Sequence, residues 1–180
     1  DIAAGWTLGL PEISRDTSEG VLRQVAMVAN GREGLTFVSS LAGGRPLVPV
    51  TEPTPPGVYQ TYRAQNDTSF MRYEWMDDDQ PFRWRVYALD GTTYYFGDDA
   101  LIATGGVEDH DRAPLTRTVD AFGNTVEYAW RREGLSEYEI DEIRYTSNPA
   151  AGLPAFAKVE FTWDWGTYCG GEQVGAATSF

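Results

Sequence analysis

The chain reads as all-β, an antiparallel sheet of successive hairpins, on three observations. Aromatic residues make up 13% of 180 residues, with 6 Trp, 10 Tyr and 8 Phe, and such side chains fit a pleated, half-buried surface better than a helix. Gly and Pro, 19 and 10 of them, punctuate the chain too often for long helices. Several short runs alternate large apolar with polar residues at a period of two, and turn residues separate them with no helical runs between.

In chain order, Gly5-Trp6-Thr7-Leu8-Gly9-Leu10-Pro11 is a glycine-punctuated opening, and Glu12-Ile13-Ser14-Arg15 follows as a short extended piece. Pro11 argues against a helix there. Residues 21–28 are assigned a strand on a weak alternation of Val21, Arg23, Val25 and Met27. Leu35 to Val38 is another short run, and residues 41–50 pass through Gly43-Gly44 and Pro46. Residues 51–57, TEPTPPG, are the one credible internal boundary, and their shortness makes them a connection within one structure. Beyond it the strands are clearer: 58–64 with Tyr59 and Tyr62, 70–75 with Met71, Tyr73 and Trp75 on one side, and 82–89 with Phe82, Trp84, Val86 and Ala88 on one side. Asp90-Gly91 is a hairpin signal leading into Thr93 to Gly97.

Residues 115–130, LTRTVDAFGNTVEYAW, state a complete hairpin. Val126, Tyr128 and Trp130 share one face of the outgoing strand, while Leu115, Arg117 and Val119 share a parity of the incoming one. Between them Asp120 can bond its own backbone, and Gly123 and Asn124 accept a positive φ cheaply. Residues 138–145 fit either a strand with a bulge or a helical turn. Val159, Phe161, Trp163 and Trp165 alternate cleanly as one strand.

Net charge excludes some functions. With 27 acidic residues against 14 basic ones, the formal charge is −13, and no basic run is present to displace the counterions of a nucleic acid or to hold an anionic membrane. Acidity alone serves solubility more often than it marks a site. Cys169 is the single cysteine, so no internal disulfide holds the chain. No apolar stretch approaches the roughly 20 residues of a spanning helix, so direct membrane insertion is not expected. An opening at Asp1 without a signal peptide, and an ending in GEQVGAATSF, read as cut ends. Residues 1–180 are therefore taken as one β segment of a longer polypeptide.

Four constellations invite a chemical reading. Asp77-Asp78-Asp79 could offer oxygens to a hard cation, yet three consecutive side chains of an extended chain cannot face one ion, and a solvated turn is the better reading. His110, the only histidine, lies between acids, with no second ligand or nucleophile at motif spacing, and fits a surface loop. Glu137 and Glu139 have the Glu-x-Glu spacing of mono-ADP-ribosyltransferases, but a partner NAD-holding strand is missing, with Val38-Ser39-Ser40 a poor stand-in. Trp6, Trp75, Trp84, Trp130, Trp163 and Trp165 could build a sugar-stacking platform, although most sit on apolar strand faces, where burial is the ordinary outcome. No catalytic residue, cofactor or metal is assigned.

Taken together in order, several motifs resemble one family. Gly5, Trp6, Leu8, Pro11 and Arg15 stand in GWTLGLPEISR, which is similar to the GWSLGLPxIxR opening of the SpvB-like N-terminal region found in the B component of bacterial toxin complexes (Tc toxins) and related Rhs/YD-repeat proteins. Tyr62-Arg63 with Phe70-Met71-Arg72, and Trp84-Arg85-Val86 with Asp90-Gly91 and Gly97, resemble its next two segments. Asp120 to Tyr128 resembles the DxxGNxxxY core of a YD repeat, with Val119 and Trp130 where that repeat has tyrosines, and residues 175–180 resemble the family's GAxSF.

The resemblance implies a non-enzymatic structural segment of an exported toxin scaffold, part of a hollow β-shell of YD-type hairpins that encloses or delivers a cytotoxic effector. It implies as partners the remainder of its own chain and the C and A components of the toxin complex. The implied location is secreted or cell-surface associated, after a cytoplasmic stage before export. A carbohydrate- or protein-binding β-module using exposed aromatics is the alternative, and an ADP-ribosyltransferase fragment acting through Glu137 and Glu139 comes third.

Overall fold

The computed structural model of the chain describes residues 8–16, 36–77, 80–98, 112–133, 137–167 and 173–177. Its strands follow the alternation of the sequence. They are β1 (Glu12–Arg15), β2 (Phe37–Ser39), β3 (Arg45–Pro49), β4 (Val58–Ala64), β5 (Arg72–Met76), β6 (Phe82–Tyr87), β7 (Thr93–Asp98), β8 (Arg112–Val119), β9 (Thr125–Glu133), β10 (Glu137–Ser147) and β11 (Ala157–Glu160). These form one 11-stranded sheet in chain order, each strand antiparallel to the next. β12 (Trp163–Thr167) and β13 (Gln173–Ala177) make a separate two-stranded sheet.

β1 also pairs with β8, setting Ile13 opposite Ala113, so β1 to β8 close into an 8-strand barrel. Closure removes the unpaired edges that an open sheet would present. The side chains of one parity fill the interior: Ile13, Phe37, Leu47, Tyr62, Tyr73, Trp75, Trp84, Val86, Phe96 and Leu115 form one buried cluster. Trp75 and Trp84, directly opposed on β5 and β6, stack with ring centroids 5.8 Å apart. The Phe37 ring meets them edge-on at 5.0 and 4.9 Å. Aromatic contacts of this kind contribute about 0.5–1.5 kcal/mol each beyond the area they bury. Burial also pushes the Tyr62 phenol up to about 12, with the nearby Tyr59 adding to the shift. Leu41 and Ala42, on a short 3-10 turn (Ser40–Ala42), pack against the cluster.

β8 is where the sheet forks. Its first half, Arg112 to Pro114, pairs with β1, and its second half, Arg117 to Val119, pairs with β9 on that same side. At the branch point the Leu115 N–H donates to the Pro11 carbonyl at 3.0 Å, and its own carbonyl accepts the Trp130 indole N–H at 2.7 Å. Both groups of Leu115 are thereby satisfied where the ladder changes partners, as buried backbone requires. Beyond the fork β9, β10 and β11 extend from the barrel as a wing.

The structure chooses a strand with bulges over a helical turn for residues 138–145. β10 spans 11 residues against 9 in β9, and the register slips between Ile140 and Glu142 and again between Arg144 and Ser147. Thr146 sits in the second slip at φ +70°, the local twist that an extra residue produces. The single strand expected over Val159 to Trp165 is instead two strands in two sheets. β11 pairs with β10, then the Phe161 N–H donates to the Asp141 carbonyl and the Trp163 indole to the Ile140 carbonyl, both at 2.9 Å, before β12 joins β13. Alternation continues through such a corner because it records which side is buried, not which sheet is joined. One expected strand begins late and one ends early: Phe70 lies in a turn at φ +55° ahead of β5, and Ala88 and Leu89 belong to the hairpin turn in which the Ala88 N–H donates to the Thr92 carbonyl. Residues 51–57 link β3 to β4, which pair directly. The strand assigned to 21–28 lies outside the described residues.

Candidate functional site

Two surfaces gather the sequence features. The first is the end of the sheet where β4–β5, β6–β7, β8–β9 and β10–β11 turn. Each turn is fixed by an Asp or Asn at its start. Asp67 Oδ1 accepts the Ser69 N–H at 2.7 Å, Asp90 Oδ1 the Thr92 N–H at 2.9 Å, Asp120 Oδ1 the Phe122 and Asn124 N–H groups at 2.8 and 2.9 Å, and Asn148 Oδ1 the Ala151 N–H at 3.1 Å. This is the local side-chain-to-backbone bonding that favours Asx residues in turns. Gly123 closes the third turn at φ +86°, a conformation most side chains disfavour.

These bonds set the titration of the carboxylates. For Asp120 the Asn124 amide side chain, then the backbone N–H groups of Asn124, Phe122 and Gly123, hold the carboxyl below its ordinary value. The Thr92 backbone N–H, then its hydroxyl, does the same for Asp90. Burial pushes Asp67 up, but the Ser69 hydroxyl and N–H, the Met71 N–H and the Arg45 charge together bring it below the ordinary value.

The turns touch one another in a line. Phe70 and Leu89 border a common hollow with Arg63, Ala64 and Asp67. A Cβ added at Gly91 would lie 2.8 Å from the Cβ of Ala121, and one at Gly123 would lie 3.2 Å from Oδ1 of Asn148. Asn148 Nδ2 donates to the Phe122 carbonyl at 3.0 Å. Every large apolar side chain that is more than half exposed among the described residues lies on this line: Phe70 (65%), Leu89 (74%), Phe122 (84%), Leu153 (58%) and Phe156 (85%).

The second surface is the outer face of barrel and wing. Directly opposed residues run in one row from β4 to β11: Thr61, Glu74, Arg85, Tyr95, Arg117, Glu127, Arg144 and Lys158. Cross-strand pairs of opposite charge each contribute roughly 0.2–1 kcal/mol. Glu74 is fully buried in this row, with Arg85 Nη2 at 2.7 Å and Nε at 2.8 Å and a further ion pair to Arg72. A carboxylate is tolerated out of water only with such partners. The Arg72 and Arg85 guanidiniums lie over the Tyr87 ring at 5.1 and 5.3 Å, and Arg117 lies over Tyr95 at 4.0 Å. An open groove of about 330 Å³, bordered by Phe82, Tyr95, Arg117, Glu127, Tyr128 and Arg144, follows the junction of barrel and wing.

Among the described residues no group of three or more His, Cys, Asp or Glu is placed to hold a metal ion. Asp77 is part of a turn: its N–H donates to the Gly57 carbonyl and its carbonyl accepts the Gln80 N–H. Asp78, Asp79, His110 and Cys169 lie outside the described residues. Of the Glu-x-Glu pair, Glu139 is engaged by Arg131 across the strand, through Nε at 2.9 Å and Nη2 at 2.7 Å, and the Glu137 side chain is outside the described set. The Trp platform is not there among the described indoles. Trp75 and Trp84 are inside the barrel, and the half-buried Trp130 and Trp163 give their N–H groups to backbone carbonyls.

The motif residues lie mostly in the barrel wall. Tyr62 and Trp84 are in the core. Arg63 Nη1 donates to the carbonyls of Phe70 and Met71 at 2.9 and 3.1 Å, bringing two parts of one motif together. Arg72 pairs with Glu74. A Cβ at Gly97 would meet Arg83 Cγ at 3.1 Å and Ala113 Cβ at 3.4 Å, at the close approach of β7 to its neighbours. Pro11 supplies the carbonyl for Leu115, Arg15 ends β1 opposite Phe37, Leu8 is exposed ahead of it, and Tyr128 packs half-buried against the core cluster. Gly5 and Trp6 lie outside the described residues. Sequence reasoning missed the Asp67 and Asn148 turns, although Asn148-Pro149 is itself a turn signal. It also missed the Trp130 bond to Leu115, which no local pattern announces.

Comparison with known proteins agrees with this architecture. No curated protein matches the chain by sequence. Among solved structures, the chain superposes on TcdB2-TccC3 with TM-score 0.65 at 16% identity, covering 94% of this chain and 10% of that one. It matches the Photorhabdus luminescens Tc holotoxin pore with TM-score 0.65 at 18% identity, over 98% and 10%. It matches the N-terminal domain of effector protein SpvB from Salmonella typhimurium strain LT2 with TM-score 0.64 at 16% identity, over 98% and 68%. The chain thus spans about a tenth of the toxin chains it resembles. The model of one family, SpvB (Salmonella virulence plasmid 65kDa B protein), matches residues 2–153, and the chain belongs to that family.

Proposed function

We propose that this chain is a non-catalytic structural segment of a secreted toxin-complex scaffold, and that it starts a β-wall which encloses or delivers a toxin effector. The observation that carries this reading is the fork at β8. A closed barrel anchors the segment, and β9 to β11 leave it as an open, strand-by-strand extension of the same sheet. A wall of successive hairpins needs such a start, because each added strand satisfies the free backbone groups of the last. Asp120, Gly123 and Asn124 shape the first turn of that extension, and Tyr128 and Trp130 tie it to the barrel.

The partners on this reading are the remainder of the same polypeptide and the C and A components of the complex. Engagement of Glu139 by Arg131 supports the absence of ADP-ribosyltransferase chemistry in this segment. Electron cryo-microscopy of the full-length parent with its partner subunits tests the proposal. The expected result is a closed β-shell with β9 to β11 continuous with its wall. A parent lacking any shell, or one in which the wing is detached from it, overturns the reading.

A further inference from the structure

We propose that the line of turns at one end of the sheet is a docking surface for a protein partner that presents an apolar patch flanked by lysine or arginine. The inference rests on the turns alone and does not depend on the shell. Leu89, Phe122, Leu153 and Phe156 project from three neighbouring turns, which are locked together by the close approach of Gly91 to Ala121 and the Asn148 bond to Phe122. Their order within each turn is fixed by the Asx hydrogen bonds, so little conformational entropy remains to be lost on docking.

Exposed apolar side chains gathered in one region mark interaction sites, whereas scattered ones are ordinary. Here the five most exposed large ones among the described residues fall on one line. Charge selects the occupant. Residues 88–92, 120–124 and 148–156 contain Asp90 and Asp120 and no Lys or Arg. Hydrogen bonds from Thr92 and Asn124 hold both carboxyls below their ordinary value, so they stay ionised beside the apolar tips. The guanidiniums beside the first two turns are already engaged, Arg45 and Arg63 by the carbonyls of Asn66 and Phe70 and Arg72 by Glu74 and the Tyr87 ring. A bilayer would have to take these charges into its apolar boundary along with Leu89 and Phe122. A second copy would set like charges against each other. A basic-rimmed apolar surface meets neither obstacle.

The test titrates the full chain with an amphipathic Lys/Leu peptide, its Glu/Leu counterpart and phosphatidylcholine vesicles, reading backbone amide shifts by NMR. The expected result is binding of the Lys/Leu peptide at least tenfold tighter than the Glu/Leu peptide, with shifts centred on 88–92, 120–124 and 148–156. The double variant Phe122→Ser/Phe156→Ser, which leaves the net charge unchanged, should weaken that binding at least tenfold. Asp90→Asn/Asp120→Asn, which keeps an Asx acceptor in each turn, should erase the preference for the cationic peptide. Shifts spread over the whole acidic surface, equal binding of both peptides, binding to vesicles, or self-association through the turns in sedimentation each overturn the proposal.

Discussion

The barrel and the wing are built from the same kind of strand but held by different forces. In the barrel, one parity of side chains is buried in a common aromatic core, and the outer parity carries a charge ladder with Glu74 sealed inside it. The wing has few buried apolar side chains among the described residues, Ile140 and Phe161 among them. It is held by cross-strand ion pairs such as Arg131 with Glu139 and Lys158 with Glu142, and by two indole hydrogen bonds to backbone carbonyls. Partly exposed ion pairs contribute about 0–1 kcal/mol each. A closed barrel therefore supplies the stability of the segment, and the wing is positioned by it.

This contrast can be broken at its strong side first. Trp84→Ala, which removes one ring of the stacked pair, should destabilise the whole chain by about 3–5 kcal/mol, measured as a lowered denaturant midpoint with barrel and wing unfolding together. Arg85→Met leaves the buried Glu74 with a half-exposed Arg72 as its ion-pair partner among the described residues, and should cost about 3 kcal/mol at neutral pH. Arg85→Lys, which keeps the charge, should cost less than Arg85→Met; an equal cost would contradict the ion-pair role given to Arg85.

Alkaline pH probes the same core. The folded state keeps Tyr62 neutral, with its phenol raised from 10.0 to about 12, so above pH 10 the unfolded chain ionises first and stability falls as pH rises through that window. The loss should be on the order of 3 kcal/mol, each pKa unit being worth about 1.4 kcal/mol. Tyr62→Phe should flatten the alkaline limb of the stability profile.

The smallest effect is expected at the junction. Trp130→Phe keeps the ring but withdraws the donor to the Leu115 carbonyl, at a cost of about 1 kcal/mol. Amide hydrogen exchange should quicken in β9 and β10 while β4 to β7 keep their protection. Equal quickening throughout would show that the fork does not separate the two regions.

Much of this was legible in the residues, for physical reasons that can be named. Alternation at Trp84-Arg85-Val86 and at Val126 to Trp130 follows from two-sided burial of a strand, and Asp-Gly and Asp-x-x-Gly-Asn carry their own turn bonds. The bulges of β10 were open to two readings because an extra residue breaks the period of two that identifies a strand. The corner at Phe161 and Thr162 was hidden for the opposite reason, since Phe161 stays buried on both readings and the period survives the change of sheet. The exposed line of Phe70, Leu89, Phe122, Leu153 and Phe156 was hidden altogether. Phe122 alone reads as one turn residue and Leu89 as the end of a strand, and only adjacency of the turns makes them a surface.

By itself the sequence determined the all-β class, most strand positions, the turns at Asp90 and Asp120 and the family motifs, because these depend on interactions within a few residues. Only the tertiary structure decided that β1 returns to β8, that β8 divides its pairing between barrel and wing, and that Trp130 serves the Leu115 carbonyl. Those are contacts between residues far apart in the chain or on different strands. Their geometry is set by the twist and closure of the whole sheet rather than by any local preference.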